Sequence, residues 1–271
     1  MAEAAPGPRI IAVANQKGGV GKTTTAINLA AAFAELGRPV LVVDVDPQGN
    51  ASTGLGLEPS RRRATTFDLL VEGVPLADVA VDTATPGVAL CPSTTDLASA
   101  DVQLVDNERR SFLLRQALRA PGAGLGRWHY VLVDCPPSLS LLTVNAMVAA
   151  DAVLVPLQAE FFALEGLSQL MLTVRQVRQT ANPALRIEGV VLTMHDARNN
   201  LAQQVEADAR ATLGELVYRT VVPRNVRVSE APSFALPVLS YDSGSRGSQA
   251  YRALAREMLA QHGAAVEEAG A

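Results

Sequence analysis

The sequence predicts an α/β protein with a doubly wound, mostly parallel central sheet flanked by helices. Short runs of β-branched and apolar residues alternate with longer segments of helical period, which is the pattern of successive βαβ units. Runs such as VLVVD and YVLVD are almost wholly apolar, as expected of strands covered on both faces. The 271 residues show no break in composition, so we expect one domain over 1–271, with disordered tails at 1–8 and 263–271.

Six strands are predicted from these apolar runs. In chain order they are Ile10–Ala14, Val40–Asp44, Tyr130–Asp134, Ala152–Leu157, Gly189–Thr193 and Val217–Val222. The clearest helices are Thr23–Leu36 and Leu164–Gln179. The first of these ends at Gly37, because glycine readily takes the left-handed conformation that closes a helix.

Composition limits the classes of function. Apolar residues make up 48% of the chain and charged residues 18%, and the apolar runs are too short to span a bilayer. The opening MAEAAPGP lacks the features of a signal peptide, so we expect a cytoplasmic protein with no membrane partner. A net charge of −4 excludes a general polycation. Cys91 and Cys135 are expected to be reduced and buried.

The segment NQKGGVGKTTT holds the two lysines of the chain, Lys17 and Lys22, while every other cation is arginine. It lies between a predicted strand and a predicted helix, which is the context of a phosphate-binding P-loop. Glycines at 18, 19 and 21 let successive N–H groups point inward, and the following helix adds its positive N-terminal end. We therefore expect Lys22 to reach the β and γ phosphates and the Thr23 hydroxyl to bind Mg²⁺. The predicted fold is that of a P-loop NTPase.

Carboxylates follow two of the predicted strands. Asp134 ends an apolar strand, where a Walker-B-type carboxylate would hold Mg²⁺ through water. Asp44 and Asp46 lie on one face of the chain because side chains alternate in a strand, and both point to the mouth of the P-loop. A simple turn capped by two aspartates is the alternative interpretation of this pair.

Several motifs together resemble one family. KGGVGKTT, DVDPQGN and VLVDCPPS resemble the deviant-Walker-A ATPases, whose P-loop carries an additional lysine. FFALEGLSQL, VVLTMHDARNNL and VPRNVRVSEAPSF are similar to the chromosome-partitioning ParA (Soj-like) proteins. The similarity runs from about Ile10 to Leu259. It implies an ATPase with slow intrinsic turnover that uses ATP/ADP and Mg²⁺.

The resemblance assigns roles to individual residues. Asp46 would orient the attacking water, and Asp44 would assist the metal. Lys17 would act in trans, so that two subunits enclose two ATP molecules as a homodimer. Met194, Pro223 and Asn225 would lie near adenine, although a turn role for Asn225 is equally open. The expected nucleotide-binding loop comprises Lys17, Gly18, Gly19, Val20, Gly21, Lys22, Thr23 and Thr24.

DNA and a second protein are the implied partners. Between Arg175 and Arg256 the chain has eleven arginines against seven acidic residues. The resemblance implies a nucleoid-associated protein whose ATP dimer binds double-stranded DNA nonspecifically, and whose release is stimulated by a ParB-type centromere-binding protein. The candidate DNA contacts are Arg198, Arg219, Arg224, Arg227, Arg246 and Arg252. SFALP and YDSGSRG lack lysines that relatives often carry near Ala235 and Ser243, so we expect weaker DNA binding than in relatives, unless Arg61–Arg63 compensate.

The sequence leaves three other functions to compare with this one. A related ATPase that positions a protein cluster is the alternative that the sequence excludes least. A MinD-like membrane-cycling regulator needs an amphipathic C-terminal helix, which AQHGAAVEEAGA does not resemble. An iron–sulfur electron-transfer ATPase needs cysteines placed further along the switch segment than Cys135. The run Arg61–Arg63 is interpreted as a solvated surface in preference to a DNA contact.

Overall fold

The computed structural model describes residues 7–160 and 163–263, of which 163–165 are described by their backbone alone. Within these residues seven strands form one sheet in the order β3-β4-β2-β5-β1-β6-β7. Only β3 runs antiparallel to its neighbour. The strands are Arg9–Val13 (β1), Val40–Asp44 (β2), Val81–Asp82 (β3), Val88–Cys91 (β4), Tyr130–Asp134 (β5), Ala152–Gln158 (β6) and Arg186–Thr193 (β7). The predicted α/β class and mostly parallel sheet are confirmed.

Helices connect the strands. They are Lys22–Glu35 (α1), Asn50–Gly54 (α2), Leu76–Val79 (α3), Ala100–Gln103 (α4), Leu113–Arg119 (α5), Leu141–Ala149 (α6), Ala163–Thr180 (α7), Asn200–Leu213 (α8), Val226–Glu230 (α9), Val238–Tyr241 (α10) and Arg246–Gln261 (α11). Gly37 ends α1 as predicted, with φ of 69° and its N–H donating to the Ala34 carbonyl. None of the described helices is both long and apolar enough to cross a membrane.

Two apolar layers cover the sheet, one on each face. Alternate residues of β1 belong to different layers: Ile10 packs with α5, α6 and α7, whereas Ile11 packs with α1 and α11. Each fully buried Leu or Ile side chain contributes about 1.5–3 kcal/mol. The near-continuous apolar strands of the sequence follow from this double covering. Cys91 and Cys135 are buried and free, as expected.

The helix that follows the P-loop packs on the last described helix of the chain. Glu35 of α1 accepts two hydrogen bonds from Arg252 of α11, at 2.6 and 3.0 Å. Asn28 of α1 accepts from the Val238 N–H at 2.6 Å. The C-terminal part of the chain therefore completes the layer that supports α1.

The predicted strand Val217–Val222 is wrong. This segment makes a single bridge to the sheet, between Val217 and Val190. Glu257 of α11 accepts hydrogen bonds from the N–H groups of Arg219 and Thr220, at 2.7 and 2.9 Å. These amides therefore cannot extend a continuous ladder to β7. Conversely, β3 and β4 were not among the predicted strands.

The predicted tails lie mostly outside the described residues. Of the first tail, Gly7 and Pro8 are described, and Pro8 is buried. Of the second tail only Gly263 is described, in a turn after α11. The N–H of Arg9 then donates to the His129 carbonyl at 3.0 Å, which starts β1.

Candidate nucleotide site

The loop between β1 and α1 turns through two glycines. Gly19 and Gly21 have φ of 74° and 84°, a left-handed conformation in which other residues are strained. A Cβ added at Gly21 would approach Thr193 no closer than 3.8 Å. Backbone conformation, not crowding, therefore requires glycine at this position. The exposed Gly18 and Gly19 leave the loop open to solvent.

Side chains from neighbouring strands hold this loop in place. Asn15 donates to the Pro156 carbonyl at 2.8 Å and accepts from the Lys17 N–H at 3.0 Å. Thr193, at the end of β7, donates to the Val20 carbonyl at 2.8 Å. The loop is thus anchored to the ends of β6 and β7. Asn15 and Thr193 were not identified from sequence, because single polar residues at strand ends give no periodic signal.

The two lysines have different surroundings. Lys22 is 6% exposed, and its Nζ donates to the Lys17 carbonyl at 2.9 Å. Burial lowers the pKa of Lys22, while the charge of Asp134 acts in the opposite direction. The Lys17 side chain is 37% exposed and forms an ion pair with Glu160, just beyond β6. One cation is therefore held inside the loop and the other lies at its rim.

Asp134 is a buried carboxylate without a hydrogen-bond partner. It is 0% exposed, and neither of its oxygens is hydrogen bonded to another described residue. It lies beside Asp44 in the register of β2 and β5. Burial, and then the charge of Asp44, raise the pKa of Asp134 well above its usual value, whereas the nearby Thr23 hydroxyl lowers it. A buried carboxylate without a partner is expected to bind a cation.

The donor set fits a magnesium ion. The Asp134 carboxylate and the Thr23 hydroxyl supply the oxygen ligands that this ion prefers. No group of three or more His, Cys, Asp or Glu side chains suited to a metal occurs among the described residues. Magnesium is usually held by one or two carboxylates together with substrate phosphates and water.

Asp44 is occupied by hydrogen bonds from the protein. One oxygen accepts from the N–H and hydroxyl of Ser52, at 2.9 and 2.7 Å, and the other from the Asp46 N–H at 3.1 Å. Burial raises the pKa of Asp44 to about 6, against the lowering effect of the Ser52 hydrogen bonds. Its position thus fastens α2 to the end of β2. The predicted assistance to the metal stays a prediction.

Asp46 lies two residues further, where the chain leaves the sheet. It is 6% exposed, and one of its oxygens accepts from the Gln48 N–H at 2.9 Å. Burial lowers the pKa of Lys22, and the charge of Asp46 is among those that act in the opposite direction, so the two side chains lie in the same electrostatic environment. Asp46 therefore lies beside the P-loop, as the alternation of side chains predicts.

The three residues predicted near adenine have different environments. Met194 follows β7 with φ of 48°, and the next residue, His195, bridges to Pro223. Met194 and Pro223 are therefore brought together. The Asn225 side chain accepts from the Val228 N–H at 3.3 Å, which caps α9. This is the local turn role that the sequence left open, and an adenine contact by Asn225 stays a prediction.

The six candidate DNA-binding arginines fall into two groups. Arg198 pairs with Asp196, Arg227 with Glu230 and Asp242, and Arg252 with Glu35. The other three are exposed and form no ion pair with a described residue: Arg219, Arg224 and Arg246. The positive charges of the second group are therefore more available to bind DNA phosphates.

A glycine-rich loop that holds a buried lysine lies between a parallel strand and a helix, and a buried carboxylate ends the neighbouring strand of the sheet. This arrangement defines a P-loop nucleoside triphosphatase. A family model described as an AAA domain matches residues 8–187. The chromosome partitioning protein ParA of Caulobacter vibrioides is 58% identical over 253 residues, covering 93% of this chain and 94% of that protein. The chain belongs to the ParA family of chromosome-partitioning ATPases.

Two further relatives extend the comparison. The sporulation initiation inhibitor protein Soj of Bacillus subtilis is 48% identical over 252 residues, with 93% and 98% of the two chains covered. A solved structure from Mycobacterium smegmatis, titled cobyrinic acid a,c-diamide synthase with bound ADP and magnesium, has a TM-score of 0.81 and 36% identity. It covers 94% of this chain and 96% of that chain.

Proposed function

We propose that this chain is an ATP-dependent, dimerising switch for the segregation of chromosome or plasmid DNA. In this proposal it binds DNA nonspecifically as an ATP dimer, and a ParB-type protein releases it by stimulating a slow hydrolysis. The observation that carries the proposal is that a buried Lys22 and the buried, unpartnered carboxylate of Asp134 both lie beside an open glycine loop. The ADP and magnesium in the similar M. smegmatis protein support the choice of ligand.

Each residue of the site has a distinct task in phosphoryl transfer. The N–H groups of the P-loop and the ammonium of Lys22 would bind the phosphates. Thr23 and Asp134 would hold magnesium, which when bound neutralises charge on the phosphates. Asp46 would orient the attacking water. Asp44 would keep α2, and therefore the segment after Asp46, fixed to the sheet.

Lys17 is proposed to act on the nucleotide of the second subunit. Its ammonium lies at the rim of the loop, and its partner Glu160 is 47% exposed. An exposed pair of this kind contributes only about 0.2–1 kcal/mol, so little opposes its exchange for a phosphate. Dimerisation would therefore depend on ATP, which supplies the compensating negative charge.

DNA binding would follow from dimerisation. Three exposed arginines without ion partners provide few cations on one subunit, and two subunits double that number. Affinity should rise sharply with dimerisation and fall steeply with salt, because each neutralised phosphate releases counterions. Arginine contacts to the phosphates of the DNA backbone would give binding without preference for a DNA sequence.

The test is binding to random duplex DNA at several salt concentrations, with ADP and with ATP. We expect tight, salt-sensitive binding with ATP alone. The substitution Arg246→Ala should make the slope of log affinity against log salt shallower by roughly 0.9 for each DNA phosphate that this arginine neutralises. Arg109→Ala, at an exposed arginine outside the C-terminal half, serves as the matched control. Equal binding with both nucleotides would remove DNA from the mechanism and favour an ATPase that positions a protein cluster.

A further inference from the structure

The arginine run at 61–63 is not uniformly solvated. Arg61 and Arg63 are exposed, whereas Arg62 between them is half-buried. The guanidinium of Arg62 donates three hydrogen bonds: to the Leu57 carbonyl at 3.0 Å, to the Ser93 carbonyl at 2.8 Å and to the Thr53 hydroxyl at 2.7 Å. The interpretation of this run as a solvated surface is therefore wrong for its middle residue.

These acceptors lie on separate parts of the chain. Thr53 belongs to α2, Leu57 follows that helix, and Ser93 lies just beyond β4. The planar fork of arginine can bind several acceptors in fixed directions, which the single ammonium of lysine cannot do. Arg62 thus joins α2 and the segment after it to the end of β4.

The same guanidinium packs against the start of α2. Gly49 precedes this helix with φ of 62°, and a Cβ at Gly49 would lie 2.3 Å from Arg62 Nη1 and 2.8 Å from the Ser93 carbonyl. The Thr53 hydroxyl also donates to the Gly49 carbonyl at 3.1 Å. Gly49 in turn donates its N–H to the Asp46 carbonyl at 2.9 Å. Arg62 therefore contacts the turn that carries Asp46.

A second set of hydrogen bonds connects this clamp to the sheet. The Ser93 N–H donates to the Ser52 hydroxyl at 3.0 Å, and that hydroxyl donates to Asp44 at 2.7 Å. Asp44 also accepts from the Asp46 N–H. The segment from Asp46 to Thr53 is therefore held on one side by Asp44 and on the other by Arg62.

We propose that Arg62 is a positioning residue for hydrolysis, which clamps the segment from Asp46 to Thr53 so that the Asp46 carboxylate keeps its place beside the P-loop. The proposal rests on the proposed ATPase function of this site. The hydrogen bonds of Arg62 within the described part of the chain go to Leu57, Ser93 and Thr53, and none of them goes to the P-loop or to Lys22. The loss of Arg62 should therefore affect catalytic turnover and leave ATP binding intact.

The clamp can be tested in the nucleotide-free protein by hydrogen exchange. In Arg62→Ala we expect the amides between Asp46 and Leu57 to exchange about tenfold faster or more, since each hydrogen bond to a charged group contributes roughly 1.5–3 kcal/mol. Arg61→Ala and Arg63→Ala are matched controls and should exchange like the wild type. Thr53→Val, which removes one acceptor, should give a smaller increase in the same segment. Unchanged exchange in Arg62→Ala overturns the clamp.

The catalytic consequence is measured by steady-state ATP hydrolysis with random duplex DNA. We expect Arg62→Ala to lower kcat about tenfold or more with KM for ATP unchanged within twofold, and added guanidinium to restore part of kcat. Arg62→Lys should have a kcat close to that of Arg62→Ala. A parallel rise in KM, or an equal loss in Arg61→Ala, overturns the positioning role. A wild-type protein that hydrolyses no ATP instead overturns the proposed function, and the exchange result still decides the clamp.

Discussion

Replacement of Asp134 by asparagine should make the nucleotide-free protein more stable. The Asp134 carboxylate is wholly buried, has no hydrogen-bond partner among the described residues and lies beside Asp44. Asparagine has nearly the same volume and no charge. Leaving a buried group unpaired costs about 1–3 kcal/mol when it is neutral and more when it is charged, and asparagine removes the charge but keeps a polar group. We therefore expect Asp134→Asn to raise the free energy of unfolding by about 1 kcal/mol or more at pH 8 without magnesium.

The gain should depend on pH. A carboxyl whose pKa is higher in the folded state than in the unfolded state binds its proton more tightly when folded. Its contribution to stability is then present below the unfolded pKa and is lost as pH rises through the folded pKa. For Asp44 this window runs from 3.8 to about 6, and for Asp134 it extends from the same lower limit to a folded pKa well above it. Wild-type stability should fall across this range, and the fall should be smaller in Asp134→Asn.

Urea unfolding with EDTA at pH 5 and pH 8 measures both effects. Asp151→Asn is the matched control, because that carboxylate is satisfied by the Ile10 N–H and by Arg119, and its loss should destabilise the protein. Saturating magnesium and ADP should stabilise the wild type by about 2.7 kcal/mol at a hundred times the Kd and the variant by less. A variant less stable than the wild type at pH 8 would refute the assignment of Asp134 as an unpaired buried charge.

Three further predictions concern the lysines, the switch carboxylate and the arginines. Lys22→Ala should weaken ATP binding by at least about 30-fold, whereas Lys17→Ala should retain ATP and fail to dimerise; equal losses in calorimetry would argue against action in trans. Asp46→Ala should bind ATP without hydrolysing it and elute as a dimer in size-exclusion chromatography, and a monomer at saturating ATP would contradict this. Arg252→Ala should lower the thermal unfolding midpoint with little change in DNA affinity. Arg246→Ala should weaken DNA binding with little change in the unfolding midpoint.

Parts of the structure that follow from local pattern were predictable from the sequence. The strand, glycine loop and helix around Lys22 were predicted within a residue, because apolar period and glycine conformation act over short distances. Val217–Val222 was wrongly predicted as a strand, because a glutamate far along the chain, Glu257, binds two of its amides. A contact between residues so far apart in the chain cannot be predicted from the spacing of residues in one sequence.

The candidate site shows the same division. The lysines and aspartates stand out because their types and spacing are specific to phosphate chemistry. Asn15, Ser52 and Arg62 are common residue types whose partners lie on other strands or turns. Arg62 was also difficult to identify because it lies between two exposed arginines, Arg61 and Arg63. Three-dimensional pairing, not residue type, gives these side chains their roles.

The packing of α1 on α11 has a consequence for synthesis in the cell. The helix that follows the P-loop ends at Glu35, and its covering helix is completed only at Gln261. At ~5–20 residues per second, the ribosome needs roughly 10 to 45 s to make the chain between them. During that interval the part of α1 that packs on α11 has no covering helix. We expect chaperones to bind the nascent chain in this period, and nucleotide binding to be among the last properties that the protein acquires.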